Sequence, residues 1–150
     1  MNFCIKEKPE DILYYVWNKL NNEYFPDYNL SDYRLEWSQR RQKRTLASCN
    51  VKKRVVRVAH ELNYKEHYKW LSPLLHHEMC HAVMAEGLID ENGRLKHKIR
   101  WHGHDFKELE RSHPQYSEFQ FWIKQGGWSK AIRSARTKEW WNKVKNVFKI

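Results

Sequence analysis

The segment His77-Glu78-Met79-Cys80-His81 has the residue types and the spacing of a catalytic metal site. Residues four positions apart lie on one face of an α-helix, so the imidazoles of His77 and His81 can bind a single metal ion. Glu78, next to the first histidine, is then placed to accept a proton from a water molecule that the metal activates. The pattern predicts a zinc-dependent hydrolase, in the first instance a peptidase, with Glu78 as its catalytic residue.

The residues around this motif predict a helix. Ser72-Pro73 is typical of an N-cap followed by proline in the first turn, and Gly87 is typical of a helix end. We therefore expect the helix to run from about Pro73 to Glu86. Its core-facing stripe, separate from the two histidines, has helical spacing and comprises Leu71, Leu75, Met79 and Ala82.

Two other polar residues of the motif are expected to have minor roles. His76 lies about 100° around the helix from His77, so a hydrogen bond beside the site or a surface contact is expected of it. Cys80 is interpreted as a small buried thiol.

A catalytic zinc normally has three protein ligands and one open position, and this motif supplies two. Met84 and Gly87 occupy the positions at which the extended pattern H-E-x-x-H-x-x-G-x-x-H requires Gly and His, which excludes that pattern. The third ligand can still be a glutamate of the following segment, Glu108 or Glu110, or a histidine of His102-Gly103-His104.

The chain resembles the SprT-like family, which includes the Spartan proteases, in two segments. These are Leu75-His76-His77-Glu78-Met79-Cys80-His81-Ala82 and His102-Gly103-His104-Asp105-Phe106, and weaker similarity extends over residues 10–125. The resemblance implies a zincin-like metallopeptidase domain that holds one zinc ion through His77, His81 and His102. It also implies proteolysis of proteins bound or crosslinked to DNA. His104 remains the rival of His102 as the ligand, and His97 and His113 are expected at the surface.

The cysteines mark a departure from the family. Many members continue into a zinc ribbon built from Cys pairs, whereas Cys4, Cys49 and Cys80 form no C-x-x-C. A ribbon is therefore excluded, and this weakens the expectation of any accessory nucleic-acid recognition that the resemblance would assign to it. Three unpaired cysteines fit a reducing compartment, and the first six residues lack an apolar signal core. We expect a cytoplasmic protein, nucleoid-associated in a bacterium or nuclear in a eukaryote.

The overall composition predicts a single α+β unit. The chain has 150 residues, of which 41% are hydrophobic and 15% aromatic, enough for one core. No apolar stretch approaches the roughly 18 residues that a membrane span needs. We expect a metalloprotease domain over residues 1–125 and a basic amphipathic helix over 126–150 within the same compact unit, acting as a monomer without a membrane partner.

A coarse reading of periodicity places the elements. Helices are predicted at about Glu10–Tyr24, Tyr64–Trp70, His104–Ser112 and Ser129–Phe148, and strands near Arg34–Ser38, Thr45–Val51 and Val55–Ala59, the last two as a hairpin. Val55–Ala59 is predicted to be the sheet edge to which an extended substrate adds. The last helix is expected to present one apolar side made of Ile132, Trp140, Trp141, Val144 and Phe148. Tyr64, Tyr68 and Arg100 are candidate donors to the oxyanion of a substrate.

The formal net charge of +10 comes from 28 Lys and Arg against 18 Asp and Glu. Positive charge attracts phosphate backbones without regard to sequence, and exposed rings stack on unpaired bases. We therefore predict binding of DNA, single-stranded or damaged. The predicted contact residues are Arg40, Arg41, Lys43, Arg44, Lys52, Lys53, Arg54 and Trp37. Two alternatives stay open: a zinc peptidase with a narrow protein substrate and no DNA role, and a basic nucleic-acid-binding module with a degenerate metal site.

Overall fold

The computed structural model describes residues 7–86, 88, 91–92, 94 and 103–148 of the chain. Within this part it contains five α-helices, a three-stranded sheet and two 3₁₀ segments, so the predicted α+β class is confirmed. The elements, in chain order, are α1 (Asp11–Tyr24), β1 (Arg34–Trp37), β2 (Ala47–Asn50), β3 (Val55–Val58), the 3₁₀ segments His60–Leu62 and Lys65–Trp70, α2 (Leu71–Ala85), α3 (His104–Arg111), α4 (Tyr116–Lys124) and α5 (Gly127–Val147).

The strands are arranged in the order β1-β3-β2. β2 and β3 form the predicted antiparallel hairpin, and β1 lies parallel to β3 on its other side. The prediction that Val55–Ala59 forms the sheet edge is wrong, because β3 is the central strand. Its alternating side chains bury Val56 and Val58 in the core, and both of its edges pair with neighbouring strands. The outer strand that packs against α2 is β2.

The turn after α1 is fixed to that helix by polar side chains. Asn21 donates to the carbonyl oxygens of Phe25 and Tyr28 at 2.9 and 2.8 Å and accepts the N–H of Leu30 at 3.1 Å. The indole Nε1 of Trp17 donates to the Leu30 carbonyl at 2.9 Å. Because these backbone groups would otherwise be buried without partners, the contacts hold the chain between α1 and β1 in one conformation, and α1 packs along α2.

The helix that carries the metal motif begins earlier than the N-cap pattern predicts. The 3₁₀ segment runs directly into α2, and Trp70 is the N-cap residue. Ser72 is therefore inside the helix, and its hydroxyl pairs with Nε2 of His113 at 2.9 Å. The predicted stripe is fully buried and consists of Leu71, Leu75, Met79 and Ala82. Gly87, the predicted helix end, lies outside the described residues.

The C-terminal third contains a helix, α4, that the periodicity did not predict. It leads into α5 through Gly126, whose φ of 82° is in the left-handed region that favours glycine. Gly127 lies against the side chain of Trp122: a Cβ built on it would be 2.2 Å from the indole Nε1. α5 starts at Gly127, so the expected cap, Ser129, is inside the helix.

The buried side of α5 lies in the first half of the helix and consists of one tryptophan and two alanines. Trp128, Ala131 and Ala135 are buried, at the spacing of one helix face. The expected apolar side is wrong for its largest members, because Trp140, Trp141 and Phe148 are all more than half exposed. None of the helices in the part of the chain that the structure describes is both long enough and apolar enough to cross a bilayer.

Candidate active site

His77 and His81 lie one turn apart on α2 and pack around the ring of Phe106 from α3. The ring centroids of the two histidines are 5.1 Å apart, and each lies 5.1 or 4.5 Å from the fully buried Phe106. The second half of the predicted motif thus meets the first through Phe106. His102, the predicted third ligand, lies outside the described residues, as do His97 and Arg100, and its role stays a prediction.

The two nitrogens of His77 have different surroundings. Nδ1 is 3.3 Å from Oε2 of Glu110 on α3, while Nε2 is 4.0 Å from Oε1 of Glu78. Because a carboxylate oxygen accepts, the proton of the neutral ring is on Nδ1, which leaves the Nε2 lone pair for a metal. Burial would lower the pKa of His77, but the hydrogen bond to Glu110 and the charges of Glu78 and Glu110 raise it above its usual value.

Glu78 has a buried carboxyl beside these histidines, with 4% of the residue exposed. Burial raises the pKa of its carboxyl to about 7; the positive charge of His77 opposes this shift, and the negative charge of Glu110 adds to it. A carboxyl that is withdrawn from water and lies next to Nε2 of His77 is positioned to exchange a proton with a group bound at that nitrogen's side.

The glutamates of α3 lie in two different places. Among the described residues, three potential ligand atoms come within 4.8 Å of one another only at His104, Asp105 and Glu108, and all three residues are exposed. Glu110 instead lies 3.3 Å from Nδ1 of His77, the position of a hydrogen-bond partner to that ring. His104, the rival to His102, is 82% exposed and lies 3.6 and 3.4 Å from the carboxylates of Asp105 and Glu108.

Behind the motif lies a buried group of aromatic and polar side chains. His76 is fully buried, with its ring 5.0 Å from that of His113 and its Nδ1 3.8 Å from the Sγ of Cys80. The prediction of a surface position for His113 is wrong, since only 4% of it is exposed. The ring of Tyr24 lies 5.2 Å from His76 and 5.5 Å from His113, so α1 covers both of them. Cys80 is buried as predicted, and burial raises the pKa of its thiol to about 12.

A cavity of about 320 Å³ opens beside Glu78. It lies between α2, the segment before β2, the end of α3, and α4, and its lining includes Arg44, Thr45, Leu46, Ala47, Pro73, Leu74, His77, Glu78, Glu110, His113, Tyr116, Phe119, Gln120 and Ile123. Tyr64 and Tyr68, two candidate oxyanion donors, are not among these residues. Tyr64 lies under Lys138 at 3.9 Å, and Tyr68 donates to Asn63 at 2.8 Å. Tyr116, which the sequence did not single out, is the tyrosine of this cavity.

The chain before β2, which forms one wall of the cavity, is held by α5. The fully buried carboxylate of Glu61 accepts from Arg136 Nη2 at 2.5 Å and from the N–H of Gln42 at 2.8 Å. The same Arg136 nitrogen donates to the Gln42 carbonyl at 3.1 Å. Glu139 joins this network through Arg136, at 3.2 Å, and through His60, at 3.1 Å. The last helix therefore fixes a segment that reaches the cavity beside Glu78.

The residues predicted to contact DNA have two kinds of environment. Exposed side chains occur at both ends of β2, and these belong to Arg40, Lys43, Arg44, Lys52 and Lys53. Arg54 instead pairs with Asp32 at 2.8 Å and lies over the ring of Tyr33. Arg41 pairs with Glu139 at 3.1 Å, and Trp37, which is only partly exposed, donates its indole N–H to the Pro9 carbonyl at 2.7 Å. These last three side chains have structural partners within the protein.

Comparison with known proteins gives one match. The model of the SprT-like family matches residues 13–126, and the chain therefore belongs to that family. No match was found among the curated proteins or among the solved structures. The matched range contains the α2 motif, Phe106 and the whole cavity lining, and it ends where α5 begins. Family membership supports a metallopeptidase-type domain.

The donor set fits zinc. Two imidazoles at i and i+4 provide nitrogen ligands of the type that Zn²⁺ prefers, and a carboxylate on the remote nitrogen is a recurrent partner of zinc-bound histidine. His77 and His81 would hold the ion, together with a third ligand that the resemblance places at His102. Glu110 would keep the ring of His77 in its tautomer and orientation.

Proposed function

We propose that this protein is a zinc-dependent endopeptidase. The observation that carries the proposal is the position of Glu78: its buried carboxyl lies 4.0 Å from Nε2 of His77 and opens onto a cavity large enough for part of a polypeptide. Zinc at such a site provides Lewis-acid polarisation of a peptide carbonyl and a water acidic enough to ionise near neutral pH.

The roles of the protein's own groups follow from their positions. Glu78 takes the proton of the attacking water on its carboxylate and returns it to the nitrogen of the departing amine. Glu110 accepts from Nδ1 of His77 and so directs Nε2 toward the ion. Phe106 fills the space between the two histidine rings and limits their rotation. The walls around Glu78 reduce the access of bulk water, which strengthens electrostatic interactions inside.

The test of this proposal is a pair of substitutions. Glu78→Gln should leave the zinc content at one ion per chain and abolish cleavage of a denatured carrier protein, because the amide cannot accept the proton. His102→Ala should release zinc, whereas His104→Ala should retain it. Zinc is measured by atomic emission after dialysis, and cleavage is measured by gel electrophoresis. Undiminished cleavage by Glu78→Gln would remove this residue from its proposed role.

We further propose that the substrates are proteins bound or crosslinked to DNA. The support is the placement of exposed basic side chains before β2, as far as Arg44 at the cavity, and after it, at Lys52 and Lys53. A DNA strand held there would run along the edge of the sheet beside the cleft. Arg41, Arg54 and Trp37 contribute less in this view, because intramolecular contacts already engage them.

Salt dependence tests the DNA contact. Each phosphate contact to single-stranded DNA contributes about −0.7 to the slope of log K against log salt. Lys52→Ala and Arg44→Ala should each reduce that slope by about this amount, and Lys65→Ala, an exposed control outside the two segments, should not. The measurement is fluorescence anisotropy with a labelled oligonucleotide at several salt concentrations. Binding that is absent at low salt, with cleavage intact, would favour the alternative of a peptidase without a DNA role.

A further inference from the structure

The cavity beside Glu78 has walls that are mainly apolar. Leu74 of α2 and Phe119 of α4 are buried in its depth, and Leu46 and Ile123 complete the apolar surface. We propose that this cavity binds one bulky apolar side chain of the substrate, leucine or phenylalanine, at a residue directly adjacent to the bond that is cleaved. The inference rests on the proposed peptidase function and specifies its substrate class.

The position of the cavity relative to Glu78 supports this assignment. A carboxylate that accepts a proton from attacking water must lie within hydrogen-bond reach of it, about 3 Å, so the reacting carbonyl lies next to Glu78. Because Glu78 is itself a lining residue, a side chain that enters the cavity belongs to a residue flanking that carbonyl. The volume of about 320 Å³ is at the lower end of ligand pockets, which suits one large side chain rather than an extended ligand.

Apart from Glu78, which the proposed reaction uses, the charged groups of the cavity do not favour a basic side chain. The carboxylate of Glu110 is engaged by Nδ1 of His77 at 3.3 Å, and Arg44 brings a positive charge to the lining. His113 accepts the N–H of Gln115 on Nδ1 at 3.0 Å, and its Nε2–H therefore donates to Ser72 at 2.9 Å. Both nitrogens of the neutral ring are thus satisfied, and His113 offers the cavity no further hydrogen bond.

This preference restricts the state of the substrate. Leucine and phenylalanine are among the residues that folded proteins bury most often, so a bond next to one of them is accessible mainly in unfolded or locally opened segments. The substrate class is therefore a polypeptide with an exposed, bulky apolar residue, in a region that has lost its fold.

The first experiment measures binding without turnover. Ten-residue peptides that differ at one central position, Leu, Phe, Ala or Lys, are titrated into the Glu78→Gln protein and followed by calorimetry. Burial of a Leu or Phe side chain should make those two peptides at least about tenfold tighter than the Ala and Lys peptides. Equal affinities, or tightest binding of the Lys peptide, would overturn the proposal.

Filling the cavity provides the matched test. Ile123→Trp should remove the preference for Leu and Phe, whereas Phe121→Trp, at a 63% exposed position of the same helix, should retain it. Folding of each variant is judged by circular dichroism. If Ile123→Trp fails to fold, Leu46→Trp replaces it as the variant that fills the cavity, because Leu46 also lines it. Retained selectivity in a folded filled variant contradicts the proposal.

The second experiment separates this proposal from the peptidase function. Cleavage sites of the wild-type protein on a denatured carrier are mapped by mass spectrometry. Cleavage that depends on Glu78 but lacks Leu or Phe next to the cut bonds overturns the side-chain site and leaves the peptidase function intact. Selective binding of the Leu and Phe peptides without any cleavage that depends on Glu78 supports the side-chain site and overturns the peptidase function.

Discussion

Replacement of Arg136 by methionine should destabilise the protein far more than the loss of an ordinary surface charge. The guanidinium of Arg136 contacts the fully buried carboxylate of Glu61 at 2.5 Å, and the backbone N–H of Gln42 is the other hydrogen-bond donor to that carboxylate oxygen. Without the guanidinium, the buried carboxylate keeps only the imidazole of His60, 3.4 Å from its Oε1, as a basic neighbour, and removal of one partner of a buried ion pair typically costs 3–5 kcal/mol. The Arg136 side chain is 23% exposed, so water can enter and about 3 kcal/mol is expected.

The assay is urea unfolding followed by tryptophan fluorescence. In thermal unfolding of a chain of this length, a loss of about 3 kcal/mol corresponds to a fall in Tm of roughly 6–12 °C. Lys138→Met is the matched control on the same helix: its pair with Glu66 is largely exposed, so its loss should cost much less than the loss of Arg136. The double variant Arg136→Met with Glu61→Gln should be more stable than the sum of the single changes predicts, because it removes the stranded charge.

A loss of stability in Arg136→Met no larger than that in Lys138→Met would refute the reasoning. It would mean that the Glu61 carboxylate does not depend on the guanidinium. Hydrogen exchange at the Gln42 amide offers an independent readout. That amide donates to the same carboxylate oxygen at 2.8 Å and should exchange faster in the variant if the segment before β2 loosens.

Three further outcomes follow from the geometry. Glu110→Gln should weaken zinc binding by roughly 10- to 100-fold in a competition titration, because the charged partner of His77 is lost. Gly127→Ala should destabilise the fold by about 1–3 kcal/mol in urea unfolding, since its Cβ would collide with Trp122. Burial lowers the pKa of His113, so stability should be intact above about pH 6.5 and fall as the pH decreases further; His113→Gln should make this decrease smaller.

Each of these predictions has a control on an exposed side chain of α3 or on a neighbouring glycine. Glu108→Gln should leave zinc affinity unchanged, and an effect equal to that of Glu110→Gln would argue against the His77 contact. His104→Gln should leave the pH dependence as it is. Gly126 has open space around its Cβ position but a φ of 82°, so Gly126→Asn, which tolerates that conformation, should cost less than Gly127→Ala.

The local elements around the motif could be predicted because their signals are local. Helical spacing identified the buried stripe of α2, and the basic turn between two apolar runs identified the β2–β3 hairpin. The strand order could not be predicted, because β1 pairs with β3 over a long separation in the chain and nothing in its own pattern specifies the partner. The choice of Val55–Ala59 as an edge failed for this reason.

The missed features depend on tertiary contacts. α4 has nine residues, too few for a stable isolated helix, and its aromatic residues have modest helix propensity. His113 stands beside Pro114 among polar residues, but Tyr24 and Ser72, distant in sequence, bury it. In α5 the large aromatic residues were expected inside, whereas Ala131 and Ala135 allow the helix to approach closely. Likewise, the contact of Glu110 with His77 exists only because α3 packs on α2.

The family match ends at residue 126, but the structural unit does not. A clone trimmed to the matched range would lack Arg136 and Glu139, and the carboxylate of Glu61 would lose the only guanidinium that contacts it within the described chain. The segment before β2, which leads to Leu46 and Ala47 in the wall of the cavity, would then lose its contacts with α5. If a shortened protein bound zinc but cleaved its substrate slowly, the loss of these contacts would explain the slow cleavage. That result would not argue against the catalytic role of Glu78.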